Sequence, residues 1–274
     1  VETITLPDGR TLAYEEFGDP EEPPVVFCHG TPGSRRSAAV FDDQQIRVLA
    51  PDRPGVGGSD PAPESYAEPG AALESWRRDV ESLAAELGVD SFGVVGFSGG
   101  GPFALAAGTA PSANRVALVA PHGPPDTQES SGLALLASYA PVVLRGLFAI
   151  QRRVVRRDPQ RALSLYTDAD PESLSLPPDV DPVERLAADY LAATAQGGRW
   201  PARETALFVE PWELPDPSVP VRIWYGEHDG NVPPSTAEAV ADRVADESVA
   251  LPTDHLETLC GSRSSVASFL SPSA

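Results

Sequence analysis

A chain of 274 residues has room for one large α/β domain, or for one domain carrying an insertion. Its 40 acidic residues against 20 basic ones, all of them Arg, give a formal charge of −20 and exclude the basic face that binding to nucleic-acid phosphates requires. Two cysteines build no disulfide framework, and the longest apolar run, residues 133–150, is interrupted by Pro141 and Arg145, so no membrane span is expected.

In chain order, residues 1–6 and 10–17 alternate around Pro7-Asp8-Gly9, which predicts a hairpin. The same stretch lacks the charged-then-apolar pattern of a secretory leader, so the expected location is the cytoplasm. Residues 24–29 read as a buried strand, 37–45 as a short helix and 47–51 as the next strand. A Pro-rich loop over 61–70 leads to a helix over 73–87 that stops at Gly88. A strand at 92–97, a helix at 102–110 and a strand at 115–120 follow. The pattern then turns helical, with helices expected at 133–157, 159–166, 182–195 and 201–210. Strand–helix order returns with a strand at 219–225, a helix at 234–244, a strand at 248–251 and a helix at 262–269.

A hairpin followed by alternating strands and helices implies an α/β fold with a doubly wound, mostly parallel sheet. Residues 1–123 and 218–274 form that core, and 124–217 are a helical block inserted between two of its strands.

One pentapeptide carries chemistry. Gly96-Phe97-Ser98-Gly99-Gly100 places small residues around a serine between a predicted strand and a predicted helix. A sharp turn there lifts the Ser98 hydroxyl out of the sheet, although glycines that merely end a strand read the same way. A nucleophilic serine needs a base, a carboxylate to orient the base, and donors for the oxyanion. The chain has four histidines. His29 sits in the turn His29-Gly30-Thr31-Pro32-Gly33, His122 follows a strand, and His228 adjoins Asp229 at a strand end. His255 lies in a late loop after a short strand, where a base swings over the carboxyl edge of the sheet. The turn from Gly226 to Pro233 presents one acid, Asp229 or Glu227, and Asp229 is preferred. The order Ser98, Asp229, His255 then follows the chain. For the oxyanion, the backbone N–H groups of Gly99 and Thr31 are the expected donors, with His29, Gly30, Gly96 and Gly100 shaping the turns.

These segments resemble the α/β-hydrolase fold family, in its capped serine-hydrolase branch. The resemblance rests on Phe27-Cys28-His29-Gly30-Thr31-Pro32-Gly33-Ser34, Asp52-Arg53-Pro54-Gly55-Val56-Gly57-Gly58-Ser59, Gly96-Phe97-Ser98-Gly99-Gly100-Gly101-Pro102, Tyr225-Gly226-Glu227-His228-Asp229 and Asp254-His255-Leu256, spread over residues 25–257. It implies Ser98 as nucleophile, His255 as general base and acid, Asp229 as its orienter, and 124–217 as a lid. The chain departs from the family at Asp254, where a glycine often precedes the histidine. It departs from proline iminopeptidases at Gly99, where those enzymes typically carry a tryptophan.

The expected function is cofactor-free, metal-free hydrolysis of a small carboxylic ester. A peptide-end hydrolase and a slow-turnover receptor on the same fold are the alternatives, and a homo-oligomer is compatible with all three. Within the lid, Arg145, Arg152, Arg153, Arg156, Arg157 and Arg161 read either as salt-bridged or as a basic lip that draws anionic substrates or an acidic membrane surface. Residues 133–150 read as an apolar wall for an acyl pocket or as packing within the lid. The excess of acid suits a high-salt organism, since at about 1 M salt the Debye length is only about 3 Å and surface carboxylates hardly repel.

Overall fold

In the computed structural model, which describes residues 1–63, 68–127 and 132–271, β1 (Glu2–Thr5) and β2 (Thr11–Phe17) form the predicted hairpin. Strand β2 also pairs antiparallel with β4 (Arg47–Pro51). From there every pairing is parallel, through β3 (Pro24–Cys28), β5 (Phe92–Phe97), β6 (Ala113–Val119), β7 (Val221–Gly226) and β8 (Glu247–Leu251). The eight strands run in the order β1-β2-β4-β3-β5-β6-β7-β8.

Side chains of a strand alternate between faces, so each parallel strand here feeds two cores. Val26, Cys28 and Val94 face α1 (Pro69–Glu86), α2 (Gly101–Gly108) and α8 (Pro234–Val244). Their neighbours Val25, Phe27 and Val95 face a 3-10 segment (Arg35–Phe41) and α9 (His255–Leu270). Both faces are covered, and that explains the continuous apolar runs in the sequence. Cys28 and Cys260 are buried, unpaired members of the two cores.

Several boundaries differ from expectation, each for a local reason. The helix expected over 37–45 is the 3-10 segment at Arg35–Phe41, started by Ser34, whose side chain accepts from the Arg36 N–H. Helix α1 begins at Pro69 rather than at residue 73, because proline is preorganised for the first helical position. The single helix expected over 133–157 is two, α3 (Gly132–Tyr139) and α4 (Pro141–Arg157), because Pro141 has no N–H and clashes with the preceding turn. Helix α9 starts at His255, seven residues before the expected 262. Asp254 is its N-cap: the side chain accepts from Glu257 N–H while the Glu257 carboxylate accepts from Asp254 N–H. Part of the loop expected over 61–70, residues 64–67, lies outside the described residues.

Between β6 and β7 lie α3, α4, α5 (Gln160–Leu163), α6 (Pro182–Ala193) and α7 (Arg199–Leu207). They make small apolar centres of their own: Ala137, Leu144, Phe148 and Ala202 in one, and Val155, Ala162, Ala187 and Tyr190 in another. They also bond to the loops at the carboxyl ends of the strands. Tyr166 Oη donates to Pro32 O at 2.7 Å, Asn231 Nδ2 to Leu165 O at 3.0 Å, and Thr167 Oγ1 to Asp254 Oδ2. Among the described residues no helix is long and apolar enough to cross a membrane.

Candidate active site

Ser98 follows β5 directly, at φ +54, in the left-handed region that non-glycine residues occupy only under constraint. The neighbouring glycines are required by space. A Cβ on Gly100 would lie 2.0 Å from Cys28 O, and one on Gly96 would lie 2.5 Å from Ala104 Cβ. The turn therefore packs hard against β3 and α2, and the surrounding structure holds Ser98 in its strained conformation. Ser98 O accepts from His122 N–H at 3.0 Å, tying the end of β6 to the same turn.

Asp229, in the turn after β7, and His255, at the start of α9, meet at the carboxyl edge of the sheet. His255 Nδ1 lies 2.6 Å from Asp229 Oδ2, with both side chains buried. Asp229 Oδ1 accepts from Asn231 N–H at 2.8 Å and Val232 N–H at 2.9 Å, so the carboxylate is fixed by its own turn. An imidazole whose Nδ1–H is held by a carboxylate presents Nε2 as its proton acceptor. The imidazole ring lies 4.8 Å from the ring of Phe97, the residue before Ser98. The sequence places His255 in a late loop, but it is the first residue of α9; the capping box at Asp254 sets its position. Glu227 and His228, from the same segment as Asp229, are exposed.

The other histidines have different roles. His29 is fully buried; its Nε2 accepts from Arg53 N–H at 3.1 Å, so its Nδ1 donates to Gly30 O at 2.9 Å. Burial, with the Arg53 charge nearby, holds it neutral, well below the usual histidine range. His122 stacks on Phe208 with ring centroids 5.3 Å apart, and burial lowers it to about 4.

The turn at Gly30-Thr31 lies against the serine turn. A Cβ on Gly30 would stand 3.4 Å from Ser98 Cβ, and one on Gly99 would stand 2.6 Å from Thr31 Oγ1. A buried charge network that no local pattern announces holds this turn. Arg53, fully buried after β4, donates to Gly30 O at 2.8 Å and to Thr31 Oγ1 at 3.0 Å, and it also bonds His29 O. Glu204 on α7 accepts from Arg53 Nε at 2.7 Å, Arg53 Nη2 at 3.0 Å and Thr31 Oγ1 at 2.8 Å. On α6, Asp189 Oδ1 accepts from Ser34 N–H at 2.9 Å, Ser34 Oγ at 2.7 Å and Ser37 N–H at 3.1 Å. Burial raises the Asp189 carboxyl to about 7. Glu204 and Asp189 carry no local motif; only their buried placement distinguishes them from the many surface acids.

Ser98 lines a partly open pocket between the core and the inserted helices. Its apolar walls are Leu176, Val180 and Leu186 from the insertion and Leu256 and Leu259 from α9. Of the two readings of 133–150, packing within the insertion fits among the described residues: Leu144 and Phe148 pack there, none of the run lines this pocket, and Val142, Val143 and Ile150 are exposed. Of the two readings of the lid arginines, the basic lip finds no support at this pocket, whose lining includes none of the six. Arg161 pairs with Asp158, and Arg152 bonds Leu191 O and Thr194 Oγ1. Among the described residues no group of three or more His, Cys, Asp or Glu side chains is placed to hold a metal ion.

Residues 23–256 match the family model described as the alpha/beta hydrolase fold. A proline iminopeptidase of Xanthomonas citri is 28% identical over 70% of this chain and 54% of its own length, so the chain spans about half of such curated relatives. Among solved structures, the enol-lactonase of Burkholderia xenovorans LB400 superposes over 99% of this chain and all of its own, with a TM-score of 0.70 at 20% identity. A thermophilic esterase of Thermogutta terrifontis covers 98% of this chain and 96% of its own, with a TM-score of 0.64 at 22% identity.

Proposed function

Because the chain belongs to the alpha/beta hydrolase fold family, we propose that it is a serine hydrolase that cleaves carboxylic esters through an acyl-enzyme on Ser98. The observation that carries this reading is the strained Ser98, whose preceding residue Phe97 packs its ring 4.8 Å from a histidine with Nδ1 held by a buried carboxylate. His255 Nε2 takes the Ser98 proton as Oγ attacks the ester carbonyl, and Asp229 stabilises the imidazolium that forms. The N–H groups of Gly99 and Thr31 hold the oxyanion, and Arg53 and Glu204 keep the Thr31 turn in place before charge develops. The imidazolium then gives its proton to the departing alkoxide. A water, activated by the same histidine, attacks the acyl-enzyme, and the acid and free Ser98 are released.

The segment 124–217 is proposed as the lid, on the support of the pocket that its α6 and the stretch before it share with the core. Cleavage at a peptide end is the second reading, supported by the names of several curated relatives; Gly99 after the serine speaks against it. The excess of acid supports work in concentrated salt.

Labelling with a fluorophosphonate, read by mass spectrometry, tests the assignment. The adduct is expected on Ser98 and is expected to be lost in Ser98→Ala. An unlabelled protein that still binds esters would overturn the reading in favour of a receptor. Faster turnover of a prolyl anilide than of any ester would favour the peptide-end reading.

A further inference from the structure

The pocket beside Ser98 is apolar on most sides, and two charged residues break that pattern, Arg185 and Asp189, one turn apart on α6. Asp189 is already committed, with Oδ1 taking three donors from the turn at Ser34 and Ser37. Arg185 is not. Its side chain is half-buried on the pocket wall, and among the described residues it has neither an ion pair nor a hydrogen bond. It is the one basic residue among those lining the pocket. Half-buried on a wall it shares with Leu186 and Val180, Arg185 gains no counter-charge there, although the chain has two acids for every base. Ion pairing within the chain therefore does not account for its charge at this wall. A counter-charge that arrives with the ligand does, because the planar guanidinium fork matches a carboxylate with two parallel hydrogen bonds.

We propose that Arg185 is an anion subsite of the Ser98 pocket, and that the substrate is an ester whose acyl chain ends in a second, ionised carboxylate. The apolar chain lies along Leu176, Val180 and Leu186, the ester carbonyl lies at Ser98, and the distal carboxylate lies at Arg185. One guanidinium balances one negative charge. A phosphate-bearing chain, close to two charges, would leave an excess beside Asp189, so the carboxylate is the better match. The substrate class rests on the serine-hydrolase reading of Ser98; the anion subsite does not.

The test compares p-nitrophenyl hexanoate with the p-nitrophenyl half-ester of adipic acid, which differ only in a terminal methyl against a carboxylate. Half-esters from succinate to suberate locate the best chain length. The wild-type protein is expected to favour the best half-ester over its neutral counterpart in kcat/KM by about tenfold or more, the worth of a charge-assisted hydrogen bond. Arg185→Leu is expected to abolish that ratio, chiefly through KM, and Arg185→Lys to restore part of it, with thermal melting confirming that each variant is folded. No preference for any half-ester, or a preference that survives Arg185→Leu, overturns the proposal. Calorimetry on Ser98→Ala judges the subsite without hydrolysis. Methyl hydrogen adipate is expected to bind, to bind more tightly than its phosphonate counterpart, and to bind about tenfold more weakly once Arg185→Leu is added. Tighter binding of the phosphonate overturns the carboxylate assignment. If this binding pattern holds while no ester is turned over, the hydrolase reading fails and the subsite stands.

Discussion

Arg53 and Glu204 form a two-bonded buried ion pair across the joint between the sheet and the inserted helices, and both also bond to Thr31 Oγ1. The pair therefore couples α7 to the turn proposed to hold the oxyanion. Removing one charge leaves the other buried without a partner, which is costlier than removing both.

Glu204→Gln is accordingly expected to destabilise the protein by about 3–5 kcal/mol in urea unfolding. It is also expected to lower kcat more than it raises KM, since the Thr31 turn loosens. Replacing both with apolar side chains, Arg53→Met with Glu204→Leu, should recover much of the stability and little of the kcat. Equal recovery of both would mean that the pair serves folding alone.

Asp229 and Glu227 stand two residues apart, one buried on His255 and the other exposed. Asp229→Asn keeps the shape but lets the imidazole take the wrong tautomer, so kcat should fall by about 10^4. Glu227→Gln should stay within about twofold, as for a surface change. Steady-state rates on one neutral ester decide it, and the reverse ranking would reassign the orienting acid.

Asp189 predicts a pH signature. Burial raises its carboxyl from 3.8 to about 7, with Asp52 adding to the rise and the Ser34 and Ser37 bonds opposing it. Between those values the native protein keeps a proton that the unfolded chain has released, so stability falls as pH rises from about 4 to 7. Asp189→Asn still offers an oxygen to Ser34 and Ser37 but does not ionise. The difference in stability between variant and wild type should therefore grow in favour of the variant across that window. It should level off above about pH 8, at no more than about 4 kcal/mol. Parallel profiles would show that the side chain does not titrate there.

The proposed high-salt setting predicts loss of stability in dilute buffer. At about 0.1 M salt the Debye length is about 10 Å, and surface carboxylates on a chain of net charge −20 repel across it. The melting temperature should rise steadily from about 0.1 M to 2 M salt. A protein equally stable and active at both ends would remove the high-salt reading.

Sequence by itself determined the eight-stranded order of events: hairpin, parallel strands with alternating helices, then a helical block before the last strands. Those features are local. A buried strand writes itself as an apolar run, and a strand-to-helix turn around a serine demands small neighbours at fixed offsets, as at Gly96 and Gly100. The same locality brought Ser98, Asp229 and His255 forward, because each stands in a short segment just after a strand with a distinctive local pattern. Sequence placed the start of α9 seven residues too late, because the capping residue Asp254 looked like one more surface acid. Dense apolar and basic residues in 133–161 left a pocket wall or lid packing, and a basic lip or salt bridges, equally open to a local reading. Only the tertiary structure decided that Leu176, Val180 and Leu186 line the pocket, that Arg185 is its cation, and that Glu204 and Asp189 hold the turns beside Ser98. Those roles depend on which of many similar side chains ends up buried opposite a partner more than 150 residues away, and no local pattern in a chain with 40 acids marks that choice.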